Sequence, residues 1–260
     1  MNRFENKTVV ITGAGSGLGR GTAERVATEG ANLLLVDVNI EALEAAKLDI
    51  EAAGGTGRVV VRAGNVADEA DVRAYVATAV DEFGTIDAFF NNAGVEGQQN
   101  LTEDFGADEF ARVLSVNLNG VFYGLAAVLP VMRRQGHGSI VNTASVGGIR
   151  GVGNQSGYSA SKHGVVGLTR NSAVEYGQFG ISINAIAPGA IMTAMVEGSL
   201  KQIDPENWQE VGQQFVSVNP MQRFGEVAEV AALAAFLLSG EAPFINGAVI
   251  TIDGGQSYKY

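Results

Sequence analysis

The chain has 260 residues, 46% of them hydrophobic, with 35 glycines, 5 prolines, no cysteine and a formal net charge of −11. That length suits one large α/β domain, 1–260, and the missing cysteines exclude disulfides, thiolate metal sites and a cysteine nucleophile. The negative field repels nucleic acid and anionic membranes, and the two histidines, His137 and His163, lack metal-ligand spacing, so no metal site is expected.

Residues 1–7 are polar and lead straight into an apolar run, with no secretory signal pattern. The first strand, 8–12, runs into Thr12-Gly13-Ala14-Gly15-Ser16-Gly17-Leu18-Gly19, which opens a helix over 18–29. Glycines there let the backbone approach a pyrophosphate at the helix N-terminus. The strict G-x-G-x-x-G spacing is not met; the fit is to T-G-x-x-x-G-x-G. The second strand, 32–37, ends on Asp37, about 20 residues beyond the loop, where a carboxylate accepts from adenosine ribose hydroxyls and repels a 2′-phosphate. Val36 and Val38 offer no cation for that phosphate, so the cofactor expected is NAD rather than NADP.

A helix over 40–53 leads to a third strand, 58–63, and then Asn65-Val66. A helix over 69–83 precedes the fourth strand, 86–91, which closes on Asn91-Asn92-Ala93-Gly94. A long helix over 107–134 carries Asn117, a polar residue on an apolar helix that needs a partner. Its apolar core, 121–132, is too short to span a bilayer, and Arg133-Arg134 reads as its solvated end. The fifth strand, 139–143, is followed by Ser145, whose hydroxyl can bond a substrate oxygen at the carboxyl end of a parallel strand. The next helix, 157–179, opens with Tyr158-Ser159-Ala160-Ser161-Lys162. Tyr158 and Lys162 are four apart and share a face, with His163 pointing away. An ammonium beside a phenol favours the phenolate, which can take an alcohol's proton while hydride leaves for a cofactor. The sixth strand, 182–187, is followed by a poorly patterned stretch, 190–220, long enough to be a substrate lid. Met192, Met195, Val196, Leu200, Trp208 and Phe215 there can line an apolar pocket. A helix over 226–238 and a strand over 248–252 complete a strand–helix alternation, which predicts a doubly wound, Rossmann-type domain around a seven-stranded parallel sheet.

Taken in order, Thr12–Gly19, Asp37, Asn91–Gly94, Asn117, Ser145, Tyr158–Lys162, Pro188-Gly189 with Thr193, and Asp253-Gly254-Gly255 resemble the short-chain dehydrogenase/reductase family over essentially the whole chain. The resemblance implies an NAD-linked enzyme interconverting a small secondary alcohol and a ketone, with a cyclic or aryl substrate. It implies a catalytic set of Asn117, Ser145, Tyr158 and Lys162: Ser145 polarises the substrate oxygen, Tyr158 exchanges the proton, Lys162 holds the nicotinamide ribose, and Asn117 holds a relay water. Cofactor contacts are expected from Gly13, Ser16, Gly17, Leu18, Gly19, Asp37, Asn65, Val66, Asn92, Ala93 and Gly94. Tyr158, Lys162, Pro188, Gly189, Ile191 and Thr193 are expected to join them. Substrate contacts are expected from Ser145, Gly147, Gln155, Tyr158 and Met195. Asn65 departs from the family's usual Asp, and its side-chain carbonyl can still accept from an adenine amine. The resemblance further implies a cytoplasmic homotetramer, with the tail Ser257-Tyr258-Lys259-Tyr260 at a subunit interface. Two other activities fit less well: a carrier-protein ketoreductase, which would favour NADPH and a basic docking face, and a catalytically silent nucleotide-binding regulator.

Overall fold

The computed structural model describes residues 2–258; Lys259 and Tyr260 of the tail lie outside them. The strands are β1 (Thr8–Thr12), β2 (Asn32–Asp37), β3 (Val59–Ala63), β4 (Ala88–Asn91), β5 (Gly138–Thr143), β6 (Ile181–Pro188) and β7 (Val249–Ile252). They form one sheet in the order β3-β2-β1-β4-β5-β6-β7, and every pairing is parallel. The helices before the irregular stretch are α1 (Gly17–Ala27), α2 (Ile40–Ala52), α3 (Glu69–Phe83), α4 (Ala107–Leu114), α5 (Gly120–Gln135) and α6 (Ser156–Tyr176). After them come α7 (Ala194–Ile203), α8 (Trp208–Ser217) and α9 (Val227–Leu238).

The apolar strands are apolar throughout because both faces of the sheet are covered. Val9 and Ile11 of β1 and Leu33 and Leu35 of β2 pack with Ala23 and Val26 of α1, Leu43 of α2 and Ala234 of α9. The alternate residues, Val10, Leu34 and Val36, pack on the other face with Val72 and Tyr75 of α3, Leu125 of α5 and Val165 of α6. The chain builds outward from β1 to β3, then returns to place β4 on the far side of β1. The connections leaving β1 and β4 therefore diverge, and a crevice opens at the carboxyl ends of the strands.

The structure departs from the sequence reading at two elements. The long helix is continuous from Ala107 to Gln135 but contains a π-helical turn at Ser115–Asn119, with Asn117 buried in it. By length and composition this helix could cross a membrane, which a reading confined to 121–132 missed. Here it is a core helix: Val121, Leu125, Val128, Leu129 and Met132 are buried, and α5 contacts α3, α6 and β5. The second departure is 190–220, which holds two helices rather than an irregular loop. Thr193 caps α7, its hydroxyl accepting from the Val196 amide at 3.4 Å. Asp204 Oδ1 accepts from the amides of Glu206 and Asn207, each at 3.0 Å, and turns the chain into α8. Only Leu200 of α7 and Gly212 and Val216 of α8 are buried, so the apolar spacing there is too sparse to announce helices.

Candidate active site

The crevice is a cavity of about 390 Å³ that runs from Asp37 and Val38, past Gly13 and Ser16–Leu18, to Ser145, Tyr158, Lys162 and α7. Its floor is stitched by Thr12, at the end of β1. The Thr12 hydroxyl accepts from the amides of Asn92 at 2.9 Å and Ala93 at 3.1 Å. Its carbonyl accepts from Asn92 Nδ2 at 3.0 Å. Asn92 Oδ1 in turn accepts from Thr143 Oγ1 at 3.1 Å. The carboxyl ends of β1, β4 and β5 are thus held in one register beneath the crevice.

Gly13 has φ +66°, the left-handed region, which turns the chain between β1 and α1. Ser16, the N-cap residue of α1, makes no side-chain capping bond. Open donors at a helix start favour an anion, and here they face the cavity. Gly19, expected among the cofactor contacts, does not line the cavity. A Cβ there would drive into the Gly13 carbonyl oxygen and approach Asn92 Nδ2 to 2.8 Å. Gly19 lets α1 pack on the loop and acts through that packing. At the far end, Asp37 Oδ2 accepts from the Gly15 amide and Oδ1 from the Asn39 amide, each at 3.1 Å. Asp37 has no ion-pair partner among the described residues. Asn65 Oδ1 already accepts from the Ala67 amide at 3.0 Å, which leaves one lone pair for a ligand.

At the other end, β5 delivers Ser145 and α6 delivers Tyr158 and Lys162. The Ser145 hydroxyl accepts from the Gly147 amide at 3.1 Å and stands beside the Tyr158 phenol, where it favours the ionised form. Lys162 is buried and donates to the Thr143 carbonyl at 2.7 Å, with its Nζ 5.6 Å from the Tyr158 ring centre. Burial pushes the Tyr158 phenol up to about 12; the Ser145 hydroxyl opposes this and the Glu96 carboxylate adds to it. Burial pushes Lys162 down to about 8. In the protein alone the cost of burying a phenolate dominates, and Lys162, expected to pull the phenol down, is not among the groups that do so.

Asn117 lies beside this group and not on the cavity wall. Its Oδ1 accepts from the Val95 amide at 2.8 Å, and its Nδ2 donates to the Val95 carbonyl at 2.7 Å and to Ser161 Oγ at 3.1 Å. It ties the turn after β4 to α6. Of the expected substrate contacts, Ser145, Tyr158 and Met195 line the cavity, whereas Gly147 and Gln155 do not. Gly147 backs the Tyr158 ring, and the Gln155 amide is turned onto Glu96 Oε1. All the other expected cofactor contacts line the cavity. His163 is exposed and bonds the Ser159 carbonyl, away from the cavity. The sequence reading missed Thr143 and Val95 on the wall and Glu96 beside it; of the residues it offered from 190–220 as pocket lining, Met195 and Val196 line the cavity, whereas Met192, Leu200, Trp208 and Phe215 do not. Thr12 carried a signal, since a hydroxyl precedes the first glycine; Glu96 carried none, because one acidic residue in a loop reads as surface.

The family model described as enoyl-(acyl carrier protein) reductase matches residues 13–257. The chain is 60% identical over 258 residues to levodione reductase of Leifsonia aquatica, covering 99% of this chain and 97% of that protein. The chain belongs to the short-chain dehydrogenase/reductase family. Within this short-chain dehydrogenase/reductase family, a crystal structure of levodione reductase superposes with a TM-score of 0.97 at 60% identity, covering 99% of this chain and 100% of that one. Cyclohexanol dehydrogenase of Acinetobacter sp. (strain SE19) is 40% identical over 258 residues, covering 99% of this chain and 98% of that protein. A crystal structure of NAD+-bound xylitol dehydrogenase matches with a TM-score of 0.92 at 35% identity, covering 97% of this chain and 99% of that one.

Proposed function

We propose that this short-chain dehydrogenase/reductase is an NAD(H)-dependent oxidoreductase that interconverts a small cyclic secondary alcohol and its ketone. The observation that carries the reading is one cavity with Asp37 at one end and Ser145, Tyr158 and Lys162 at the other. The residues fit a dinucleotide: uncapped donors at the start of α1 suit a pyrophosphate, and Asp37 suits ribose hydroxyls. Asn65 and Val66 would border the adenine, and Lys162, Pro188, Gly189, Ile191 and Thr193 the nicotinamide ribose and amide. NAD would supply the hydride acceptor for the alcohol and, when reduced, the hydride donor for the ketone.

The protein's part is to orient the substrate and move a proton. Ser145 donates to the substrate oxygen. Tyr158, held in its neutral form by burial, gives its proton to a ketone oxygen. In the oxidative direction it takes the alcohol's proton as the phenolate, which the Lys162 ammonium and a positive nicotinamide favour. Asn117 holds the Val95 turn and α6 together, and the water relay expected of it would pass along that seam. Helices α7 and α8 serve as the lid of a single domain spanning 1–260. Cyclic substrates are supported by relatives named levodione reductase and cyclohexanol dehydrogenase. NAD is supported by Asp37 and by the NAD+-bound xylitol dehydrogenase neighbour. The working form is a cytoplasmic homotetramer that engages neither nucleic acid nor membrane. Exposed apolar side chains on α5, α6 and the α9–β7 connection (Phe122, Val174 and Phe244) support an assembly. Mixing the protein with NAD and cyclohexanol tests the reading: NADH absorbance is expected to rise, and no NADH from any of a panel of cyclic and aryl alcohols would overturn it.

A further inference from the structure

A second cavity, also of about 390 Å³, lies on the other side of the segment Gly189–Met192. Ile191 lines both cavities, so the two share a wall. That wall is held from two directions. The Met192 amide donates to the Gly225 carbonyl at 3.1 Å and the Gly225 amide to the Ala190 carbonyl at 2.9 Å, while the Gly189 amide donates to the Ile252 carbonyl at 3.1 Å. Gly225 and Ile252 line the second cavity as well. So does Asn219, in the turn after α8, which is only 7% exposed. Its side-chain amide makes no hydrogen bond among the described residues. A buried amide with neither its donor nor its acceptor matched is costly, and a ligand in the cavity can supply both partners. The charged groups of the lining are already partnered. Arg223 donates from Nη1 to Glu229 Oε2 at 2.8 Å and from Nη2 to Oε1 at 2.7 Å. Asp253 accepts from the Gly255 and Ser257 amides at 3.0 and 2.8 Å.

We propose that this second cavity is an effector site for a small neutral carboxamide carried on an apolar ring, and that its occupancy tightens NAD binding through Ile191. The site lies outside the reaction centre, and only its coupling to NAD rests on the cofactor reading above. A carboxamide presents a donor and an acceptor side by side, the pair that the Asn219 amide lacks. Ile191, Met221 and Ile252 give the ring apolar contact. The lining sets two carboxylates against one guanidinium, all engaged, so a ligand ion would lose its hydration without gaining a free counter-charge. Neutral ligands are selected for that reason. A ligand seated against Ile191 and Gly225 keeps those contacts only while the segment Gly189–Met192 holds its present place. Binding on one side of the wall therefore favours the placement that the other side uses, and the coupling between the two sites is reciprocal.

The probe is benzamide, which is neutral at working pH and carries neither a carbinol nor a ketone for the reaction centre to turn over. Calorimetric titration into the full chain, without NAD, is expected to show saturable binding with a Kd on the order of 1 mM. Asn219→Leu removes the amide pair. Because that side chain makes no bond to the protein, the fold should stand, and benzamide affinity should fall at least tenfold. Met221→Trp, at an exposed position on the cavity wall, should block the site without touching the amide. With benzamide saturating, the Kd of NAD should fall at least threefold in wild type and stay unchanged in Asn219→Leu. Absence of saturable binding, binding that ignores Asn219→Leu, or an NAD affinity that benzamide leaves alone overturns the proposal. Benzamide lodged in the main crevice would weaken NAD binding, which overturns it equally. If NAD itself fails to bind, the cofactor reading falls, and the benzamide titrations on the protein alone still decide the site.

Discussion

At the residue scale, the chemistry turns on where two buried protons sit. Burial holds Tyr158 up to about 12 and Lys162 down to about 8, so the protein alone favours a neutral phenol. A raised phenol is a ready acid and a reluctant base. Ketone reduction, which needs the phenol, should hold its rate from neutral into alkaline solution and fall only as Tyr158 deprotonates. Alcohol oxidation, which needs the phenolate, should rise over the same interval. Paired pH–rate profiles check this; an oxidation rate that falls from neutral to alkaline pH would contradict it. Asp37 sets a second expectation. Its carboxylate has no cationic partner among the described residues, and Val38 beyond it is exposed. A 2′-phosphate there would meet like charge, so NAD should be preferred over NADP by at least ~100-fold in kcat/KM, on the order of 2.7 kcal/mol. Asp37→Ser with Val38→Arg should shrink or reverse the preference, and equal efficiency in wild type would refute Asp37 as its cause. Most residues of this site were legible because each ends a strand or opens a helix. Glu96 was not legible, because its importance comes from partners distant in sequence, Gln155 and Ser199.

At the scale of elements, the turn from β1 to α1 is fixed by close packing as much as by ligand contact. The sequence reading assigned Gly19 to the cofactor, yet its neighbour is the Gly13 carbonyl. Gly19→Ala must push α1 off the loop. We expect a stability loss of ~1–3 kcal/mol, typical of overpacking, together with weaker NAD binding. Thermal unfolding and cofactor titration measure the two, and an alanine variant with wild-type stability and affinity would show the contact to be soft. The strands and most helices were readable because period-2 and helical patterns alternate cleanly along the chain. The π-helical turn at Ser115–Asn119 was not, since one wider turn leaves the apolar spacing around it intact. Helices α7 and α8 escaped notice because so few of their side chains enter the core. If α7 and α8 form the lid proposed above, their mobility fits this, since a moving helix cannot bury the stripe by which a helix is recognised.

At the scale of the molecule, a doubly wound sheet whose order reverses at β1 generates the crevice, which gathers residues from the carboxyl ends of β2, β5 and β6, from the turns after β1, β3 and β4, and from α1, α6 and α7. The seven-stranded sheet was legible from the alternation alone, but how copies assemble was not, because an interface needs no periodic signal. Exposed Phe122, Val174 and Phe244 lead us to expect a species of four chain masses by light scattering; a monomer across micromolar concentrations would contradict the assembly. The central claim is that Tyr158 moves the proton of a secondary alcohol or ketone at a site built for NAD. Its most direct test compares NADH formation from NAD and a cyclic alcohol by wild type and Tyr158→Phe, with NAD binding measured on both. The account predicts turnover by wild type, a loss of ~10²–10⁴-fold in the variant, and nearly unchanged NAD affinity. A variant that binds NAD normally and keeps more than about a tenth of the wild-type rate, far above that range, would contradict it.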